Sequence, residues 1–528
     1  MAKDQHWADA LAERRLQKRQ EEHVIEIGWS PSGAMHIGFL REMVLGDVVY
    51  RALRDAGTKV RFVFFVDSFD PLRDREAHGK PWYKFLPESF RAHVGKPVFT
   101  VPDPEGVRSS YVEHFFAPVR EHMRTLGVEP EVHFSHEAYK TGLFADIITT
   151  YLEKNEQVRQ IIAEVTGEEK PAGWCGARVL CHACGRIDRN RVTGWDTVGR
   201  TVTYKCSCGQ NGEADYSRGE VKLDWRLDWP ARWAALGVTI EPFGKDHAAA
   251  GGSYDSGRRF AKEILGKEPP EPVLYEWLHA KDGKPFSSSR GTVIDPGELL
   301  QAAAPEILRY FMASTRPNKA IRFDPGAGLL DLYRDYERIE TALAEEQPVK
   351  DVEERDYEFS QVRPGGAGGV RIPYRNLISL LQISGGDRRR LKGMMVRAGY
   401  SEATENWEAV EPKIRCAENW IKSYAPPEAK MEIQTELPAE ARGLGEPMKR
   451  FLLRLSGLFV GEVPAADEIH NGIYTLAREE MGVDPKEAFE AIYLVFLGLR
   501  RGPRAGWFLH SLEPEFVAER LRQAGGGE

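Results

Sequence analysis

The passage that most restricts the fold is residues 23–67. An apolar run, HVIEI, leads into a glycine-broken turn, GWSPSGAMHIGFL (residues 28–40), then an amphipathic stretch, REMVLGDVVYRAL, and a second buried-strand run, VRFVFFV, ending at Asp67. Apolar strand, turn, helix and strand in that order predict a βαβ unit. Ligands of such units sit beyond the carboxyl ends of the strands, so the turn at 28–38 and VDSFD at 66–70 face one crevice. GVTIEPFGKDH repeats the logic further on, with Gly244 and a polar cluster at a strand exit.

The first turn has two readings. Gly28, Gly33 and Gly38 permit close backbone approach, and a helix starting near Gly38 would aim free amides at an anion, with His36 as an added donor. The same residues also suit a structural turn with a capping histidine. A second stretch, GKPFSSSRGTVIDP (residues 283–296), sets three hydroxyls, a lysine and an arginine on a glycine-bounded loop. Such a set can clamp a polyphosphate, and alone it is equally a solvated loop.

At 528 residues the chain exceeds what one core usually organises, so two or three domains are expected. No apolar run is long enough to span a bilayer, and the first 23 residues, mixing acids and bases without an apolar signal core, read as a solvated helix. A net charge of -8 argues against wholesale coating by nucleic acid but leaves room for local basic patches. These features fit a cytoplasmic enzyme. Four cysteines crowd into CHACG and CSCG, and such crowding favours a metal over disulfides. Cys181 and Cys184 form a knuckle; Cys206 and Cys208 are closer than usual, leaving His182 or Cys175 as alternative ligands. Cys175 and Cys416 otherwise read as buried or inert thiols. After about residue 312 the apolar spacing becomes helical, and RPGGAGGV at 363–370 reads as a join between helical parts.

The pair PSGAMHIG and SSSRG resembles the two nucleotide signatures of class I aminoacyl-tRNA synthetases. The longer strings GEVKLDWRLDWPARW, EPFGKDHAAAGGSYDSG, ILRYFMASTRPNKAIRFD and AFEAIYLVFLGLRRGPRAGWFLHSL resemble the archaeal-type class I lysyl-tRNA synthetases, from about Ile25 to the carboxyl-terminal helices. The resemblance implies a Rossmann-type α/β catalytic domain at 1–312 with a zinc ribbon inserted at 171–214, a helical connection at 313–355, and an all-α anticodon-binding domain at 356–528. It implies lysine activation by ATP with Mg2+, followed by transfer to tRNA(Lys), in a chain expected to be monomeric.

By the same resemblance His36 contacts the ATP phosphates and Gly38 packs under the adenine. Ser287, Ser288, Ser289 and Arg290 hold the triphosphate, and Pro31, Gly33, Gly244, Asp246, His247 and Lys284 complete the nucleotide site. Gly28 and Ser30 match positions near the substrate amino group; Trp225, His247 and Tyr275 match its amino-acid pocket. A lysine ammonium demands an acid, and Asp67 and Asp70 are the candidates, each equally suited to a cap or an ion pair. Trp229 and Trp233 are assigned to core packing. Zinc is expected on Cys181, Cys184, Cys206 and Cys208. A second zinc site of some relatives is not expected, because Val107 and Arg108 stand between Asp103 and His114. Arg500, Arg501, Arg504 and Trp507 suit RNA phosphates and bases.

Two departures stand out. Phe39 replaces a polar donor of the first signature and Pro285 a lysine of the second. One lost charge-assisted donor is worth roughly 1.5–3 kcal/mol. Two other readings are therefore kept: a paralogue activating lysine or a related amino acid for another acceptor, and a non-catalytic tRNA-binding regulator.

Overall fold

The computed structural model describes residues 5–18, 21–76, 79–83, 85–284, 294–363 and 371–526. The chain divides into two compact units: residues 1–299, 308–323 and 342–365, and residues 300–307, 324–341 and 366–528.

The first unit runs through α1 (Trp7–Leu16), β1 (Glu22–Trp29), α2 (Ile37–Asp55), β2 (Lys59–Val66), α3 (Tyr111–Leu126), β3 (Glu131–Phe134), α4 (Ser135–Lys140), α5 (Ala145–Glu153) and α6 (Asn155–Thr166). After the short strands β4 (Ala177–Val179), β5 (Asn190–Asp196), β6 (Thr201–Cys206), β7 (Asn211–Asp215) and β8 (Val221–Leu223) come α7 (Trp225–Leu236), β9 (Ile240–Gly244) and β10 (Glu271–Tyr275). The main sheet is β10-β9-β1-β2-β3, and every pairing in it is parallel. Counting only these strands along the chain, the order is 3-2-1-4-5, that of a Rossmann-type sheet, and the order reverses beside β1. A crevice therefore opens beyond the carboxyl ends of β1 and β9.

The apolar run of β2 is buried from Phe62 to Val66, as a strand covered on both faces requires. In β1 the same burial encloses an acid, Glu26. Between α6 and α7 the cysteine-bearing insert forms a three-stranded antiparallel sheet, β5-β6-β7, and an antiparallel β4-β8 pair.

The amino-terminal helix corrects an expectation. α1 is not a solvated helix: Ala8, Leu11 and Ala12 are buried, and the helix packs on α2. Its charges mask a small-residue stripe, and exposed Arg14 and buried Arg15 both pair with Glu271.

The described elements of the second unit are helical, including Tyr374–Ile383, Trp407–Ser423, Glu446–Ser456, Ala466–Thr475, Pro485–Leu497, Ala505–Ser511 and Pro514–Ala524. Its core stacks Tyr333 on Tyr374 with ring centroids 3.6 Å apart. Trp420 is fully buried, and its Nε1 donates to the Pro325 carbonyl at 2.8 Å. Gly506 allows helix 505–511 to lie against helix 466–475, because a Cβ there would stand 2.1 Å from the Ala466 oxygen.

Candidate active site at the sheet's switch point

A cavity of about 680 Å³ fills the crevice at the reversal of strand order. The turn after β1 forms one wall. His36 is the N-cap of α2, and its Nδ1 accepts the Gly38 amide at 3.1 Å. The imidazole proton therefore sits on Nε2, leaving one N–H donor beside the amides of the helix start. A Cβ at Gly38 would stand 2.9 Å from the His36 ring and push the capping imidazole aside. Gly244, Asp246 and His247 line the opposite side, at the exit of β9, and His247 Nδ1 lies 3.1 Å from Ser253 Oγ.

The aromatic wall comes from α7. Trp225 and Trp229 stack at 5.2 Å with 15° between their planes, and His247 sits 5.4 Å from Trp229. Trp229 and Trp233 pack in the core as assigned, and Trp229 in addition lines the cavity. Both indoles donate to the buried carboxylate of Glu241, from Trp229 Nε1 at 2.6 Å.

Beneath the cavity lies a layer of buried charge. Arg232 of α7 donates to Asp67 and to Asp228, including Nε to Asp228 Oδ2 at 2.9 Å, and its NH1 stands 3.8 Å from Glu26. Lys222 lies 3.1 Å from Asp70 and 3.5 Å from Asp228. Buried Asp67 and half-buried Asp70 thus already hold cationic partners. Asp67 also accepts the Ser30 hydroxyl at 3.0 Å.

Glu42 differs from these acids. It follows Gly38 by one helical turn, lines the cavity, and takes the Tyr275 hydroxyl at 2.5 Å and the Gly28 amide as its donors. Neither donor carries a charge. Burial, with smaller contributions from Asp246 and Glu26, pushes its pKa up to about 8.

Several expected residues lie elsewhere. Pro31 and Gly33 do not line the cavity, and exposed Lys284 pairs with Asp282 at 2.9 Å. Ser287, Ser288, Ser289 and Arg290 lie outside the described residues. The cavity adds Glu42, Arg73, Arg232, Glu241 and Trp277, none of which sequence reading named. Glu42 had a signal, an acid one turn after the turn glycine on the same helix face. In the second unit Arg500, Arg501 and Arg504 are exposed beside half-buried Trp507; Arg500 pairs with Glu490 at 3.3 Å and Arg504 with Asp467 at 2.8 Å.

Apart from the cavity, the insert gathers four thiols. The sulfurs of Cys181, Cys184, Cys206 and Cys208 lie within 4.8 Å of one another, with Cys181–Cys208 and Cys184–Cys206 each at 3.7 Å. Thiolates around a tetrahedral ion with bonds of about 2.3 Å stand about 3.8 Å apart, so the donor set fits zinc. His182 turns to Glu220 at 3.4 Å, and Cys175 is buried outside the cluster. Asp103 instead accepts the backbone amides of Glu105 and Val107 at 3.2 and 2.7 Å, together with that of Arg108, and meets His114 at 2.7 Å.

A parallel 3-2-1-4-5 sheet, a capped glycine turn at its switch point and a cavity joining that turn to buried acids define a Rossmann-type nucleotide-binding protein. The model of the family described as tRNA synthetases class I (K) matches residues 5–363. The chain belongs to this family, the class I lysyl-tRNA synthetases. It is 40% identical to the lysine-tRNA ligase of Methanosarcina barkeri over 99% of this chain and 98% of that one. It is 41% identical to the lysine-tRNA ligase of Archaeoglobus fulgidus over 98% of this chain and all of that one. Among solved structures, a glutamate-tRNA synthetase from Elizabethkingia anophelis is similar over 96% of this chain and 100% of its own, at 11% identity and a TM-score of 0.45.

Proposed function

We infer that the chain is a lysine-tRNA ligase, activating L-lysine with ATP to lysyl-adenylate and transferring the lysyl group to tRNA(Lys). The observation that carries the amino-acid assignment is Glu42, a buried cavity carboxyl whose two donors are neutral. A lysine ammonium supplies the missing positive charge, and the aromatic wall covers its methylene stem. Asp67 and Asp70, occupied by Arg232 and Lys222, are less suited to that end of the substrate.

At the other end of the cavity, His36 Nε2 and the α2 amides meet the phosphates of ATP, which arrives with Mg2+. Gly38 gives the adenine a bare backbone to pack on. Ser287, Ser288, Ser289 and Arg290 complete the triphosphate clamp. The lysine carboxylate attacks the α-phosphorus and pyrophosphate leaves; the terminal adenosine hydroxyl of the tRNA then attacks the acyl carbon, taking the lysyl group and releasing AMP. The protein's contribution is positioning and charge stabilisation. Arg500, Arg501, Arg504 and Trp507 are proposed to read the tRNA within an anticodon-binding part at 356–528. The four cysteines would hold a structural zinc that supplies cross-linking of the insert and no chemistry; one zinc per chain by elemental analysis is expected. The catalytic part is placed at 1–312, in a monomeric cytoplasmic protein.

The test is lysine-dependent ATP–pyrophosphate exchange followed by charging of tRNA(Lys). Both should occur. Exchange without charging would assign the chain to another acceptor, and tRNA binding with neither reaction would make it a regulator.

A further inference from the structure

Lysine brings two ammonium groups, and of the five carboxyls that line the cavity Asp70 is paired with Lys222, Glu241 is held by two indoles and Asp246 is exposed, while Glu42 and Asp67 differ in how they are held. Glu42 rests on neutral donors. Asp67, at the end of β2, is gripped by an arginine 165 residues away in the sequence. Its other oxygen accepts the Ser30 hydroxyl at 3.0 Å. A hydroxyl that donates to a carboxylate keeps its lone pairs for an incoming cation, so Ser30 and Asp67 together form an acceptor set at the ends of β1 and β2.

We propose that Arg232 is the positioning residue for the substrate's α-ammonium group, fixing Asp67 so that Asp67 and Ser30 receive that group; this rests on the lysine reading above. Arg232 does not need to touch the substrate to do so. Its guanidinium is fully buried, lies 4.2 Å from the centroid of Phe65, and has NH1 only 3.6 Å from where a Gly28 Cβ would stand. It is wedged between the sheet and α7. From there one planar fork joins a carboxylate of β2's end to a carboxylate of its own helix, Asp228, which lysine's single point of charge reproduces poorly. The same guanidinium stands 5.3 Å from the centroid of Trp225, so the α-ammonium acceptor and the aromatic wall share one support.

The charge balance gives Arg232 a second effect on Asp67. Burial raises the Asp67 pKa to about 6 even with the guanidinium pulling it down. Loss of Arg232 removes the main pull on this pKa and moves it upward, so less of the carboxyl is charged when the α-ammonium arrives.

The experiment measures affinities of wild type, Arg232→Lys and Arg232→Met for three ligands: lysine, cadaverine, which keeps both amines but lacks the carboxylate, and 6-aminohexanoate, which lacks only the α-amine. The expected result is that both variants weaken lysine and cadaverine roughly tenfold or more, while 6-aminohexanoate changes less than about threefold. Equal weakening of all three ligands, or of none, would overturn the proposal. If Arg232→Met does not fold, Arg232→Lys and Asp67→Asn give the same comparison, because each keeps a hydrogen-bonding side chain in place. A wild-type protein that binds none of the three overturns the lysine reading itself, which separates the two failures.

Discussion

The two halves of the cavity are built in opposite ways. Where the amino acid is placed, side chains from β1, β2, α2, α7, β9 and β10 converge, and Arg232, Lys222, Asp228 and Glu241 beneath them are almost wholly buried. Where the nucleotide is placed, the wall is a glycine turn, a capping imidazole and the partly exposed Asp246 and His247. The contrast fits the work proposed for each half. Discriminating one amino acid from others of similar shape needs polar groups that are costly to leave unpaired, whereas holding phosphates needs backbone donors and close approach. Substitutions in the first half should therefore act through affinity for lysine, and those in the second through ATP.

The largest effect is expected at Glu42. In Glu42→Gln the ammonium of lysine would be buried without a counter-charge, at a cost of about 3–5 kcal/mol. Lysine-dependent pyrophosphate exchange should lose roughly 10²–10⁴-fold in kcat/KM for lysine, with KM for ATP nearly unchanged. The free variant should melt at a higher temperature than wild type at pH 8. The sign follows from the raised pKa of about 8: the folded protein holds a proton that the unfolded chain releases near 4.5, so the stability carried by the protonated carboxyl is lost as pH rises through 8. Loss of ATP affinity in equal measure would dissolve the contrast between the halves.

The next effect needs no substitution. Lysine requires the ionised form of Glu42, whereas burial keeps the empty site protonated below about pH 8. Affinity for lysine should fall by up to about tenfold per pH unit as pH drops below 8. ATP binding alone should not follow that curve. Calorimetry in buffers of different ionisation enthalpy should show a proton released on lysine binding at pH 7, and its absence would remove Glu42 from the ammonium site.

In the nucleotide half, Gly38→Ala should raise KM for ATP about tenfold, because the new methyl displaces the His36 ring that caps α2. KM for lysine should stay within about twofold, and an equal change in both would mean that the turn supports the whole cavity.

These expectations divide along the same line as legibility in the sequence. The βαβ unit, the glycine turn and the cysteine insert announce themselves through local period and spacing, so the crevice and His36 can be found from residues 23–67 alone. The charged layer is different. WRLDWPARW reads as a tryptophan-rich helix, and nothing local says that its Arg232 reaches Asp67 or that its Trp229 and Trp233 hold Glu241. Glu42 stands between these cases: its place one turn after Gly38 is a local signal, but its partner Tyr275 lies far away in the sequence. The alanine stripe of α1 was masked by surrounding charge. Partners far apart in sequence leave no periodic trace, so the half proposed to hold the amino acid is the less legible half.

The smallest effect is expected at Phe39, the departure from the first nucleotide signature that the chain resembles. Phe39 is half-buried at the cavity wall, and its ring meets Phe64 edge-on at 5.8 Å. Phe39→Asn removes that aromatic pair, worth about 0.5–1.5 kcal/mol, and should lower the melting temperature by a few degrees. The rate of lysine activation should change by less than about threefold, because the His36 imidazole and the helix amides already supply donors on this side. A gain of tenfold or more would show instead that the nucleotide half is short of one donor, and that Phe39 trades catalytic power for packing.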